Sequence, residues 1–371
     1  MDEVAAQYEA YPYPDRDPAE ERRRLITGSP SHPMEIEHFL SAGRRDWSRP
    51  LRALIAGGGT GDGLIQLAAL MAAASRPAEI TYLDMSVRAR KIAEARARER
   101  GLADIRFVTG DLAEAPGLGP FDYIDCCGVL HHLTDPAAGA GALARALAPG
   151  GGIGFMVYAP FGREGVYPLQ AAFRTLLAGQ PPEARVAAAR RVLDALPGDH
   201  PFRRNPHLHD HQDSDAGFHD LLLHGRDRPF TVGELEALLT GAGLELVDFT
   251  RPALYDPARL VPADLPLPDG LDRTGRMALA ERLRGTIKTH IGYAVAAGGA
   301  EAARPRPGDR RLVPHLRGVG ARALARQVAA GRALTIRLDA GTAEERLPPG
   351  CAALIGAIDG RRSLGEIAAG A

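Results

Sequence analysis

A glycine cluster and two aspartates carry the clearest chemistry in this chain. Gly57-Gly58-Gly59-Thr60-Gly61 follows a short apolar run, Asp84 stands 23 positions after Gly61, and Asp111 follows Gly110. Glycine lacks a Cβ, so such a loop turns sharply and lets a ligand approach the backbone, while the following helix presents its first amides there. An acid at the end of the second strand can accept hydrogen bonds from both ribose hydroxyls of a nucleoside. The spacing is Gly-x-Gly-x-Gly. A dinucleotide fingerprint needs glycine three positions after Gly59, where Asp62 stands, so a nucleotide-linked dehydrogenase is disfavoured.

A second group is suited to proton transfer and aromatic contact. His131 and His132 follow Gly128-Val129-Leu130, and His131 is the candidate base. Tyr11, Tyr13 and Tyr158 are candidate walls of an acceptor pocket. Between 200 and 224, six histidines (His200, His207, His209, His211, His219 and His224) interleave with Asp210, Asp213, Asp215 and Asp220. His207-x-His209-x-His211 would put three imidazoles on one side of a strand, a metal-like pattern. A polar lid has the same composition, however. The lid is the reading adopted, with no metal and with Asp220 and His224 as its functional members.

The elements that must position these residues alternate strand and helix from residue 51 onward, which implies a parallel sheet covered on both faces. Strands are expected at Leu51–Ala56, Ile80–Leu83, Ile105–Val108, Phe121–Cys127, Ile153–Tyr158, Leu244–Phe249 and Thr286–Val295. Ser86 and Asp135 read as helix N-caps, and Thr231 with Glu234 as a capping box. The fold expected is α/β, a Rossmann-like doubly wound seven-stranded sheet, mostly parallel. Residues 1–45 form a lead-in with short helical pieces, in which Tyr8 to Pro14 is held extended by Pro12 and Pro14. The main domain is 46–296, with a helical lid insertion at 160–229. Residues 297–311 read as a linker and 312–371 as a small helix-turn-helix-like module.

Composition narrows the function classes. The 371 residues have a formal net charge of −1, 45% apolar and 25% charged residues, and lysine only at Lys91 and Lys288. No overall field draws the chain to nucleic acid or an anionic membrane. Three cysteines, two adjacent, make no disulfide framework. No apolar run approaches the length of a membrane span, and a cytoplasmic location is the expectation.

From Leu51 to Tyr158 the chain resembles the class I S-adenosylmethionine-dependent methyltransferases. The matching runs are Ala56 to Gly61, Tyr82-Leu83-Asp84-Met85-Ser86, Gly110-Asp111-Leu112, Phe121 to Asp125, Gly128 to Leu133, and Leu147 to Gly151. The resemblance implies S-adenosylmethionine as cofactor, held by Gly57, Gly58, Gly59, Thr60, Gly61, Asp84, Met85, Asp111, Leu112 and Gly128. It puts the ribose at Asp84, the adenine amine at Asp111 and the sulfonium beside Gly128. One departure stands out: the family often has an acid two residues before the first glycine, and here that residue is Ile55. Recognition of the methionine ammonium must then come partly from elsewhere. Tyr-Pro-Tyr-Pro, Gly-Val-Leu-His-His and Asp220 to His224 are similar to a bacterial subgroup, and rickettsial protein-lysine methyltransferases are a more distant likeness.

The function implied is methyl transfer to a small molecule or a protein side chain. The alternative is a non-catalytic nucleoside-binding regulatory protein with the same fold. Nucleic acid is not an expected partner: Cys126-Cys127-Gly128 stands where a DNA methylase would carry an Asn-Pro-Pro-Tyr-like run. The tyrosine segment can close over its own pocket or, in a homodimer, over a neighbour's.

Overall fold

In the computed structural model, which describes residues 3–306, 308–338 and 341–370, seven strands form one sheet. They are β1 (Leu51–Ala56), β2 (Ala78–Asp84), β3 (Ile105–Thr109), β4 (Phe121–Cys127), β5 (Leu147–Tyr158), β6 (Leu244–Phe249) and β7 (Thr289–Ala296). Their order is β3-β2-β1-β4-β5-β7-β6. β1 to β5 are parallel, and β7 lies antiparallel between β5 and β6. β1 is apolar on both faces because helices cover both. Leu54 and Ala56 join one core with Ile124, Phe155 and Leu235, while Leu51, Ala53 and Ile55 join the other with Leu64, Tyr82 and Tyr123. The chain reverses its direction of travel between β1 and β4, so a crevice opens beyond their carboxyl ends.

Four N-terminal helices position that crevice: α1 (Glu3–Ala10), α2 (Pro33–Ser41), α3 (Asp62–Ala73) and α4 (Val87–Glu99). The Ser86 hydroxyl accepts the Ala89 amide at the start of α4, and Thr231 and Glu234 cap the helix Val232–Gly241 reciprocally. The helix α1 corrects the extended reading of Tyr8 to Pro14, because Tyr8, Glu9 and Ala10 lie in its last turn. Pro12 then stops the helix, and Arg88 bonds the orphan carbonyls of Glu9 and Ala10.

β5 begins six residues before the expected Ile153, and Pro149-Gly150 falls inside it. The register slips there, with Phe121 opposite Leu147 but Tyr123 opposite Gly152. Residues 160–229 are a packed helical unit with its own core of Val166, Leu169, Phe173, Phe202, Phe218 and Leu222. Residues 297–311 are not a free linker. Ala300 and Ala303 are buried against the sheet, and Arg304 bonds the carbonyls of Leu246 and Val247. Beyond them, two short helices (Ala352–Gly356 and Leu364–Gly370) accompany a longer one at Ala321–Ala329 and an unforeseen hairpin of β8 (Leu334–Leu338) and β9 (Gly341–Glu345).

The lead-in is fastened by buried charge. Arg96 on α4 is 1% exposed and holds Glu21 through Nε and Nη2 at 2.8 and 2.7 Å. Its Nη1 bonds Asp62 at 2.7 Å and the Thr60 carbonyl at 2.9 Å. Removing one partner of a buried ion pair strands the other, typically at about 3–5 kcal/mol. Arg96→Ala is expected to lower unfolding stability by about 3 kcal/mol, near the bottom of that range because Arg100 still holds Glu21. Urea unfolding measures this, and a loss under about 1 kcal/mol would show that the cluster does not fasten the lead-in.

Candidate active site

The glycine loop is built against the end of β2. Gly57 and Gly58 donate their amides to the Leu83 carbonyl, Gly59 donates to Asp84 Oδ2 at 2.7 Å, and the Tyr82 hydroxyl bonds the Gly59 carbonyl at 2.6 Å. Gly57 has φ +67°, and a Cβ there would meet the Val129 side chain at 2.4 Å. Glycine is therefore required for the two loops, after β1 and after β4, to approach each other. Gly57, Gly58 and Gly59 line a cavity of about 670 Å³, a volume suited to a nucleoside-sized ligand. Thr60 and Gly61 do not line it. Thr60 is fully buried with its hydroxyl on the Pro14 carbonyl, and Gly61 backs onto Ala93 on α4.

Asp84, Met85, Asp111, Leu112 and Gly128 also line this cavity, with Leu133, Ala138 and Ala142 as an apolar wall. Asp84 is 9% exposed, and burial raises its pKa against the lowering effect of the Ser86 and Gly59 amides. Asp111 sits at the open side, where its Oδ1 accepts the Ala113 amide. At the inner end lies Asp125, which sequence reasoning passed over. It is 2% exposed, accepts hydrogen bonds from the Ser31 hydroxyl and the Cys127 amide, and has its pKa pushed up to about 6 by burial.

The helical unit 160–229 closes the other side. Asp220 Oδ2 accepts the Tyr158 hydroxyl at 3.0 Å and Oδ1 the Tyr8 hydroxyl at 3.3 Å. Tyr8, Tyr13, Tyr158, Asp220 and His132 line the cavity. Arg163 fixes Tyr158 from behind, its guanidinium 3.6 Å from the ring centroid and paired with Asp227 at 2.9 Å. His224 stacks on His132 with ring centroids 3.8 Å apart, and burial pushes its pKa far down.

Of the candidate catalytic residues, His131, Tyr11 and His224 do not line the cavity, His224 standing behind His132. His131 is fully buried outside the cavity lining, with neither ring nitrogen hydrogen-bonded, and burial drives its pKa well below the usual range. The neighbouring His132 takes the cavity position, and its Nδ1 donates to the Arg226 carbonyl at 2.8 Å, which leaves Nε2 as the basic atom. The short 3₁₀ turn Leu130–His132 decides which of the two rings faces inward, and sequence gives no phase for so short a turn. Tyr11 stacks on His219 at 5.0 Å and packs on the helical core instead of the cavity.

His207, His209 and His211 do not converge. Among the described residues, the group with metal-like spacing is His132, Asp220 and His224. Its hydrogen bonds disfavour a metal. His224 Nδ1 accepts the Arg226 amide at 3.0 Å, so the neutral ring carries its proton on Nε2, facing Tyr8 at 3.3 Å. The cluster is a proton-bearing network: His224 Nε2–H to Tyr8 Oη–H to Asp220.

The donor set fits a nucleoside with a charged tail. Asp84 retains lone pairs for hydroxyls beside the glycine cradle, apolar side chains flank the outer half, and Asp125 and Arg16 supply both signs of charge at the inner end.

Comparisons with known proteins bear on the domain and its fold. Residues 54–153 match a family model described as a methyltransferase domain. An uncharacterized protein of Synechococcus sp. is 33% identical over 308 residues, covering 78% of this chain and 70% of that one. A ubiquinone biosynthesis O-methyltransferase of Paracidovorax citrulli is 33% identical over 86 residues, 23% of this chain and 36% of that one. Among solved structures, PKMT2 from Rickettsia typhi superposes with a TM-score of 0.57 at 15% identity, covering 74% of this chain and 55% of that one. The same rickettsial protein has been solved in complex with AdoHcy. No helix among the described residues is long and apolar enough to cross a membrane.

Asp125 gives a signed pH test. Its folded pKa of about 6 lies above the ordinary 3.8, so the folded state binds the extra proton between those values. Stability contributed by Asp125 is thus greatest at low pH and is lost as pH rises from about 4 to 6. Asp125→Asn does not titrate, and its stability relative to the unsubstituted protein is expected to rise by roughly 1–3 kcal/mol over that window and stay level above it. Urea melts at pH 4, 6 and 8 measure this, and a difference that does not change with pH would contradict the burial argument.

Proposed function

The chain belongs to the same family as the Synechococcus protein and carries a class I methyltransferase domain, and on that premise we propose that it binds S-adenosylmethionine and transfers the methyl group to a small-molecule or protein side-chain acceptor. The observation that carries this reading is Asp84, a buried carboxylate that accepts the Gly59 amide and lines a cavity of about 670 Å³. Asp84 would hold the ribose hydroxyls, with Gly57, Gly58, Gly59 and Met85 around it. Leu112 and the apolar wall beyond it would take the adenine, beside Asp111. Gly128 and Val129 border the region between this wall and Tyr158.

When bound, the cofactor supplies a methyl group on a positively charged sulfur, a good electrophile. The chain's own part is to align the acceptor and exclude water, an effect that can reach roughly 7–11 kcal/mol in favourable cases. Tyr158 and Tyr8, both donating to Asp220, give the acceptor side a fixed wall of hydroxyls. Where the acceptor must lose a proton, the Nε2 lone pair of His132 is the base in reach, in the role the sequence suggested for His131. An oxygen or nitrogen nucleophile suits this wall. The O-methyltransferase name of one relative falls in the first of those classes.

Calorimetric titration with S-adenosylmethionine and S-adenosylhomocysteine tests the reading. The folded protein is expected to bind both, and Asp84→Ala to weaken binding at least about tenfold, since hydrogen bonds to a charged group are worth ~1.5–3 kcal/mol each. Absence of binding by folded, unsubstituted protein would overturn the proposal. Binding without turnover on oxygen and nitrogen acceptors would favour the regulatory alternative.

A further inference from the structure

The cofactor carries an ammonium group at its methionine end, and β1 offers no acid to receive it because Ile55 is apolar. The register of the sheet shows what stands beside that position. Ile55 on β1 is paired with Asp125 on the parallel neighbour β4. Paired residues on adjacent parallel strands project to the same face, about 4.8 Å apart. An acid at 125 therefore commands nearly the same space as an acid at 55. Both residues line the one cavity.

The other carboxylates of the cavity are committed elsewhere. Asp62 is paired with Arg16 and Arg96, each at 2.7 Å. Asp84 receives the Gly59 and Ser86 amides, and Asp111 and Asp135 cap the turns that follow them. Asp220 is held by two tyrosines. Asp125 differs: it is buried, its hydrogen bonds come from one hydroxyl and one amide, and no basic side chain among the described residues is paired with it. A buried carboxylate without a cation is unfavourable unless a ligand brings one.

The surroundings keep this acid in place and accessible. Ser31, which also contacts the Tyr123 hydroxyl at 3.2 Å, anchors it from the lead-in. Gly63, in the first turn of α3, leaves room for it, since a Cβ there would lie 2.4 Å from Asp125 Oδ2. The adjacent Asp62 holds Arg16 at the cavity wall, where its positive charge suits the methionine carboxylate.

We infer that Asp125 on β4 receives the methionine ammonium of the cofactor, replacing the acid that related proteins carry on β1 with one from the neighbouring strand. The inference rests on the cofactor assignment made above, and the test separates the two. Unsubstituted protein and Asp125→Asn are titrated with S-adenosylhomocysteine, which has the amino-acid end, and with 5′-methylthioadenosine, which lacks it. The substitution is expected to weaken S-adenosylhomocysteine about ten- to a hundredfold and to leave 5′-methylthioadenosine within about twofold. The double variant Ile55→Asp/Asp125→Asn, which restores an acid one strand away, is expected to recover at least about tenfold of the lost affinity. Equal weakening of both ligands, or unchanged S-adenosylhomocysteine affinity, would overturn the inference while leaving the cofactor assignment standing. Binding of neither ligand by the unsubstituted protein would remove both. Should Asp125→Asn fail to fold, the double variant alone decides: it must bind S-adenosylhomocysteine more tightly than 5′-methylthioadenosine.

Discussion

A guanidinium with almost no contact with water has to find its hydrogen bonds inside the protein, and Arg96 finds them on three separate pieces of chain. Glu21 belongs to the lead-in, the Thr60 carbonyl to the glycine loop, and Asp62 to the start of α3. Each piece is thereby fixed relative to α4. Arg16 and Arg100 share the two carboxylates, so the cluster holds three positive and two negative charges within one network. The glycine loop cannot shift without stranding a buried charge, and neither can the lead-in that crosses it. Tyr13, Pro14 and Arg16 become walls of the cavity for this reason.

The cavity that results is electrostatically uneven. Its inner end has Asp125 without a cation and Arg16 held on Asp62, its middle has Asp84 fixed by two amides, and its outer half is apolar. Across from these, Tyr8, Tyr158, Asp220, His132 and His224 form a dense polar network whose pKa values, where perturbed, are displaced mainly by burial. Such groups hold their protons in fixed places, and a site of this kind orients a reactant without first reorganising itself. Arg163 extends the same logic one layer back, where stacking and an ion pair with Asp227 immobilise Tyr158.

Much of this was legible in the residues. The first six strands were placed by their apolar runs, and Gly57, Gly58, Gly59, Asp84, Met85, Asp111, Leu112 and Gly128, singled out together from spacing and resemblance, line one cavity, whereas Thr60 and Gly61 from the same loop do not. What escaped was long-range or depended on phase. Asp125 reads as an ordinary strand residue until its register with Ile55 is known. The choice between His131 and His132 turned on a single 3₁₀ turn. Short helical pieces were legible in the lead-in, but Pro12 and Pro14 made Tyr8 to Ala10 read as extended although they end α1. The hairpin of β8 and β9 was not foreseen: Leu334, Ile336 and Leu338 alternate as a strand does, but β9, Gly-Thr-Ala-Glu-Glu, carries no such pattern. Residues 297–311 look flexible in composition, yet small alanines are what fit closely against a sheet.

The most direct check is a crystal structure of the protein grown with S-adenosylhomocysteine. The ribose hydroxyls should lie on Asp84, the glycine loop should flank the tail, and the amino group should meet Asp125 with Tyr13 and Pro14 closed over it. A ligand bound with its tail away from β4, or at any place other than the crevice between the carboxyl ends of β1 and β4, would contradict this description of the site.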